Sequence, residues 1–289
     1  MNRRFSGYDI GRTPHYACQL DQRFSYCLYV PKDYEENSQG HYNILVTVHG
    51  TRRSSAACRD QFIEFADQQR CIVVAPLFPA GIMDPGDISG YKFLKFYNIR
   101  FDLVLLSMVD EVADKYGLRS NRFLLHGFSG GGHFAHRFFY LHPQRLLAAS
   151  IGSPGTVTLL DPARDWWIGV RDFEGHFGQV INYENLRQVP ILTIIGADDT
   201  DTNEIFLTPS SRFWMEGAND TGRNRLERII SLGDSLRAAG IDVNHVVVPN
   251  VGHSGFRILE PVRAFFADIL ARNRASDPEN EPGWVPGPW

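Results

Sequence analysis

The chain has 289 residues, of which 43% are hydrophobic and 21% charged, and its formal net charge is −4. This length and composition predict a globular protein with one large α/β domain or two small ones. The negative balance and the lack of a Lys/Arg stripe argue against a nucleic-acid partner. No apolar run is long enough to span a bilayer, so we expect no membrane partner either.

The first seven residues include two arginines, but no apolar segment follows them, so no secretory signal is visible. The cysteines have neither C-x-x-C spacing nor histidines at the intervals of a zinc site. They therefore predict buried free thiols in a cytoplasmic protein, with no metal. These cysteines are Cys18, Cys27, Cys58 and Cys71.

Apolar runs alternate with helical patterns along the chain, which predicts a doubly wound, mainly parallel sheet in an α/β fold. The first run mixes aromatic and β-branched residues and stops at Pro31, so it is predicted to be an edge strand. In chain order the predicted elements are strands 24–30 and 44–48, helix 56–69, strand 71–75, a helix from 103 that ends near Gly117, strand 122–125, helix 132–141, strands 147–151 and 191–195, helix 223–239, strand 243–248 and helix 256–272.

Two segments break this alternation within what we treat as a single domain, 1–289. Residues 155–189 have few regular signals but contain Trp166, Trp167, Phe173 and Phe177, so they are a candidate cap over the site. Residues 276–289 are rich in Pro, Gly and acidic side chains and predict an irregular arm.

The segment His126-Gly127-Phe128-Ser129-Gly130-Gly131 places a serine in a G-x-S-x-G frame between a predicted strand and a predicted helix. That context is typical of a nucleophile elbow, in which the serine backbone is strained and the chain packs too closely for a Cβ two residues away. The pattern therefore indicates Ser129 as a catalytic nucleophile.

A serine hydroxyl is a weak nucleophile and needs a general base, which in turn needs an acid to hold its tautomer. His253 follows the last predicted strand in a glycine-containing loop, so we interpret it as the base. Three carboxylates follow the strand at 191–195. We choose Asp199, ahead of Asp198 and then Asp201, although spacing alone does not decide among them.

An oxyanion hole needs backbone N–H groups that point at the developing negative charge. Gly130, directly after the nucleophile, is one predicted donor, and Thr51, after the strand that ends in His49-Gly50, is the other. Arg52 and Arg53 follow at once. They could bind a substrate carboxylate, face solvent, or pair with nearby acidic residues such as Asp60 or Glu64.

Taken together, the strand ending in His49-Gly50, the elbow at Ser129, the turn at Asp199 and the loop at His253 resemble the α/β-hydrolase superfamily in order and context. The resemblance covers residues 24–269. Within the superfamily the chain looks most similar to proteins of the dienelactone hydrolase, feruloyl esterase and polyhydroxyalkanoate depolymerase type. This resemblance implies an eight-stranded sheet and hydrolysis without a cofactor.

These residues predict a serine hydrolase that cleaves a small-molecule carboxylic ester or a similar activated acyl bond through an acyl-enzyme. Trp166 and Trp167 are candidate wall residues for an apolar substrate group, although packing within a cap core explains each one equally well. The same machinery would serve an amidase or peptidase, and the fold also hosts C–C hydrolases and lyases. A non-catalytic binding protein is the remaining alternative. Nothing in the sequence indicates the oligomeric state.

Overall fold

A computed structural model describes residues 5–34, 42–118, 120 and 122–275. The arm predicted at 276–289 lies outside the described residues. Within them, the strands are β1 (Gly11–Ala17), β2 (Ser25–Val30), β3 (Asn43–Val48), β4 (Cys71–Leu77), β5 (Lys95–Phe96), β6 (Ile99–Arg100), β7 (Phe123–Phe128), β8 (Leu146–Gly152), β9 (Ile191–Gly196) and β10 (Val243–Val248).

Eight of these strands form one sheet in the described part of the chain, in the order β1-β2-β4-β3-β7-β8-β9-β10. β1 and β2 run antiparallel to their neighbours, and the pairs from β4 to β10 are parallel. β3, β4 and β9 are almost wholly buried, as expected for strands covered by helices on both faces. The predicted doubly wound, mainly parallel, eight-stranded sheet is confirmed.

The edge position predicted for residues 24–30 is wrong. β2 lies between β1 and β4, and β1 occupies the edge instead. Pro14 within β1 lacks a backbone N–H, and the register shifts between Arg12 and His15. A strand with a proline is tolerated at a sheet edge, which also explains why its sequence signal is weak.

The helices in the described residues are α1 (Ser55–Asp60), α2 (Ile63–Gln69), α3 (Phe101–Lys115), α4 (Gly130–Leu141), α5 (Phe173–Phe177), α6 (Tyr183–Leu186), α7 (Arg225–Ala238) and α8 (Leu259–Ala275). The single helix predicted at 56–69 is therefore two. The break falls at Phe62, whose backbone leaves the helical region and whose buried ring packs against Phe65 and His126.

Apolar clusters cover both faces of the sheet. On one face, side chains of α3, α4 and α7 pack against the strands, with Leu105, Phe134 and Leu232 fully buried. On the other, α2 and α8 supply buried residues such as Phe65 and Phe266. Because helices cover both faces of the sheet, the loops that can form a site lie at the ends of the strands.

Residues 155–189 are mostly irregular and contain only the short helices α5 and α6. Their side chains Val157, Val170, Phe173 and Phe177 belong to the main apolar cluster, whereas Trp167 and Ile168 belong to a smaller one that includes Phe93. No helix in the described ranges is both long and apolar enough to cross a bilayer.

Candidate active site

The turn between β7 and α4 holds Ser129 in a strained conformation, with φ 56° and ψ −116°. Neighbouring backbone explains the adjacent glycines. A Cβ on Gly127 would lie 2.0 Å from the carbonyl oxygen of Gly131, and one on Gly131 would lie 2.1 Å from the carbonyl oxygen of Val48. Neither position can accept a side chain without separating these segments, so the glycines allow the chain to pack closely on both sides of Ser129.

His253 and Asp199 follow β10 and β9, which are adjacent parallel strands. The Nε2 atom of His253 lies 3.0 Å from Ser129 Oγ, and its Nδ1 atom lies 2.7 Å from Asp199 Oδ2. The Asp199 side chain is only 1% exposed, whereas that of His253 is 30% exposed. The three groups therefore form a continuous hydrogen-bonded series from a buried carboxylate to an accessible hydroxyl.

The other two candidate carboxylates face solvent. Asp198 and Asp201 are both exposed, and Asp201 accepts a hydrogen bond from the backbone of Asn203. Of the three, the structure brings Asp199 alone to His253.

Sequence reasoning missed Arg225, the first residue of α7. Its guanidinium lies 3.5 Å from Asp199 Oδ1 and 2.9 Å from Glu204 Oε2, and its side chain is 6% exposed. One signal was available, because a cation at a helix N-terminus opposes the helix dipole and needs another reason to be there. Arg225 is 26 residues from Asp199 along the chain, so the sequence does not show that the two side chains pair.

The two predicted oxyanion-hole residues lie side by side. A Cβ placed on Gly130 would stand 3.0 Å from the backbone nitrogen of Thr51. His49 braces this loop, since its Nε2 accepts from the backbone N–H of Phe78 at 3.0 Å and its Nδ1–H donates to the carbonyl oxygen of Gly50 at 2.8 Å. Burial lowers the pKa of His49 to about 4, so the imidazole is neutral.

Ser129 and His253 open onto a cleft of about 820 Å³, which is within the usual range for small-molecule sites. The ring of Phe128 packs beside His253, with centroids 4.8 Å apart. His133 and Thr156 supply polar surface, joined by a 2.9 Å hydrogen bond. Apolar surface comes from Ile88, Phe93, Ile205, Leu207, Phe213 and Phe256.

The structure does not bring Trp166 and Trp167 to this cleft. The Nε1 atom of Trp167 donates to the carbonyl oxygen of Phe213, and its ring packs against Phe93. Trp166 instead packs edge-on against Phe177. Both indoles are therefore part of the apolar packing behind the wall, where their large rings find more contact than in an open cleft.

The two arginines that follow Thr51 lie in different environments. Arg52 is exposed at the mouth of the cleft. Arg53 donates to the carbonyl oxygens of Thr51, Phe78 and Ile88, so it ties the loop to neighbouring chain. Neither pairs with Asp60, which binds Arg12 and Arg59 instead.

Two further cations lie beside the cleft. The guanidinium of Arg137 is fully buried, stacks 4.5 Å from the ring centroid of Phe93 and donates to threonine and carbonyl oxygens. Lys92 donates to Ser89 Oγ at 3.1 Å. Burial, followed by repulsion from Arg53 and Arg137, lowers the pKa of Lys92 to about 8.

The protein has the α/β-hydrolase fold, and the resemblance predicted from its sequence is confirmed at that level. Among similar solved structures, the poly(3-hydroxybutyrate) depolymerase LpqC from Bordetella parapertussis has a TM-score of 0.70 at 22% identity, over 91% of this chain and 94% of that one. Poly(aspartic acid) hydrolase-1 from Sphingomonas sp. KT-1 has a TM-score of 0.64 at 20% identity, over 90% and 95%.

A ferulic acid esterase has a TM-score of 0.59 at 16% identity, over 90% of this chain and 96% of that one. The sequence matches no protein-family model and no curated protein. A likeness at such low identity establishes the fold, and one fold hosts many reactions, so the chemistry must be argued from the site itself.

Proposed function

We propose that the protein is a serine hydrolase that cleaves a carboxylic ester or a similar activated acyl bond. The observation that carries this proposal is the hydrogen-bonded series from Asp199 through His253 to Ser129, with separations of 2.7 and 3.0 Å. Hydrolases and esterases recur among the proteins that share the fold. The small, partly apolar cleft suits a small-molecule substrate.

In the proposed mechanism, His253 Nε2 takes the proton of Ser129 Oγ as this oxygen attacks the carbonyl carbon. Asp199 accepts from Nδ1–H, which fixes the tautomer and stabilises the imidazolium. The backbone N–H groups of Gly130 and Thr51 stabilise the negative oxygen of the tetrahedral intermediate.

The leaving alcohol takes the proton back from His253, and an acyl-enzyme on Ser129 remains. A water molecule then attacks the acyl carbon while His253 accepts its proton. The bond between Ser129 Oγ and the acyl carbon then breaks, and His253 returns the proton to Oγ. This releases the acid and restores the serine, so the cycle needs no cofactor.

Labelling with a fluorophosphonate, followed by mass spectrometry of the adduct, tests this proposal. We expect a stoichiometric adduct on Ser129 that is lost in Ser129→Ala and in His253→Ala. Ser54→Ala, which removes another hydroxyl at the cleft, is the matched control and should label like the parent protein. Absence of an adduct in well-folded protein would reject the serine mechanism and favour a lyase or a binding protein.

Steady-state kinetics give a second test. Ser129→Ala and His253→Ala should each lower kcat on a simple ester by several orders of magnitude, and the double variant should be scarcely worse, because these residues act as a unit. Additive losses would show that the two side chains act independently. Matched ester and amide substrates would decide which acyl bond is preferred.

A further inference from the structure

The cleft is electropositive although the whole chain carries a formal charge of −4. Arg52, Lys92 and Arg225 are the cationic residues that line it, against Glu204 in the lining and the buried Asp199 behind it. Glu204 is already paired with Arg225 at 2.9 Å. The field inside the cleft therefore favours an anionic ligand.

Lys92 is the cation in this group that is neither exposed to solvent, as Arg52 is, nor ion-paired, as Arg225 is. Its ammonium has three donors, and the one hydrogen bond found in the described residues is to Ser89 Oγ. Asp87, on the same loop, uses its carboxylate oxygens to accept from the backbone N–H groups of Ser89 and Gly90. No carboxylate within the described ranges forms an ion pair with Lys92, although this residue is partly buried.

The position of Lys92 relative to the reacting groups limits what it can bind. A Cβ on Gly130 would lie 3.1 Å from Lys92 Cε and 3.0 Å from the backbone nitrogen of Thr51. The lysine chain thus passes next to the N–H groups proposed to hold the oxyanion. An anion bound to its ammonium would therefore lie in the same part of the cleft as the carbonyl that Ser129 attacks.

We propose that the substrates are esters with a free carboxylate close to the scissile carbonyl, and that Lys92 binds this carboxylate. The inference rests on the proposed serine hydrolase function and adds the class of substrate. A bound carboxylate would supply the missing counter-charge to Lys92 and offset the repulsion from Arg53 and Arg137. Charge-assisted hydrogen bonds of this kind are worth about 1.5–3 kcal/mol, or roughly 10- to 100-fold in binding.

The test compares monoethyl glutarate with ethyl pentanoate, which has a methyl group where the half ester has its carboxylate. We expect kcat/KM to be at least about tenfold higher for the half ester. Lys92→Met should reduce this ratio by roughly 10- to 100-fold, and Lys92→Arg, which keeps the charge, should retain more of it. Lys95→Met is the matched control, because Lys95 donates to the carbonyl oxygen of His176 outside the cleft.

Binding measured without turnover separates this inference from the proposed function. Calorimetry of Ser129→Ala with monoethyl glutarate should show binding that Ser129→Ala/Lys92→Met has lost. If fluorophosphonate labels Ser129 but the two esters react equally well, the substrate class is rejected and the hydrolase stands. If Lys92→Met lowers kcat/KM equally for both esters, Lys92 stabilises the oxyanion or the packing of the site, and the inference is overturned.

Discussion

At the scale of single residues, the strongest contrast in the site is between Asp199 and its neighbour Asp198. Asp199 is buried between His253 and Arg225, while Asp198 faces solvent. Replacing the buried carboxylate removes the acceptor that fixes the histidine tautomer, whereas replacing the exposed one removes only a surface charge.

We therefore expect Asp199→Asn to lower kcat on a simple ester by about 10³- to 10⁴-fold. Asp198→Asn, the isosteric change next to it, should stay within about twofold of the parent protein. Initial rates on one ester with both variants make the comparison. If Asp198→Asn lost more activity than Asp199→Asn, the catalytic acid would be Asp198 and our assignment would be wrong.

The pKa of Lys92 gives a prediction about pH. Burial, Arg53, Arg137 and Arg225 lower it to about 8, against the attraction of Asp87. The ammonium is present below this value and lost as the pH rises through it, so the preference for the half ester should decline between pH 7 and pH 9. The measurement is the ratio of kcat/KM for monoethyl glutarate to that for ethyl pentanoate, in which the shared titration of the catalytic groups cancels. A ratio that stays constant to pH 9.5 would contradict it.

At the scale of elements, the contact between the start of α4 and the end of β3 positions the nucleophile. A Cβ on Gly131 would stand 2.1 Å from the carbonyl oxygen of Val48, so Gly131→Ala must push the helix away from the strand. We expect a loss of about 2 kcal/mol or more of unfolding free energy, together with a marked loss of activity.

Gly175→Ala is the control for this substitution, because a Cβ at that position would have no neighbouring atom within 4 Å. That change, within α5, should leave stability within about 1 kcal/mol of the parent protein. Thermal unfolding of both variants provides the comparison. Equal melting temperatures would mean that the elbow relaxes more easily than its packing indicates.

The elements also show which features a sequence can predict. β3, β4 and β9 are continuous apolar runs, so their burial on both faces is visible in the chain itself. β1 is not, because Pro14 and its alternating exposure obscure the pattern. The break at Phe62 depends on where that ring packs, which only the tertiary structure decides.

The same limit applies to the candidate site. Ser129 and His253 are set among local glycines that mark strand ends, and this makes them recognisable. Lys92 reaches the site from a distant position without a motif, so it could not be identified. The one signal at Arg225, a cation at a helix N-terminus, does not say which group it binds. The sequence shows Trp166 and Trp167 but does not show where their side chains point, because an aromatic residue gives the same sequence signal in a cleft wall and in a core.

At the scale of the whole molecule, the buried histidines predict sensitivity to acid. Burial lowers the pKa of His126 to about 3 and of His49 to about 4, and it holds those of His133 and His136 well below the ordinary value of 6.5. The unfolded chain therefore binds more protons than the folded one below pH 6.5. Stability is full above that pH and is lost as the pH falls towards 4.

Uptake of about four protons on unfolding corresponds to about 5 kcal/mol per pH unit, which is comparable to the total stability of a typical domain. We expect the melting temperature to fall steeply between pH 6.5 and pH 5. Calorimetric scans across this range measure both the temperature and the proton uptake. A flat profile would show that the histidines can be protonated without unfolding.

The order of the strands determines where the chain could be cut into two fragments. After β7 the order along the chain is the same as the order in the sheet, so the exposed connection at Val180, between β8 and β9, separates two contiguous blocks of the sheet. One block contains Ser129, and the other contains Asp199 and His253. Two fragments produced by a cut there would each lack part of the proposed catalytic series, and the proposed esterase activity would report directly on their reassembly.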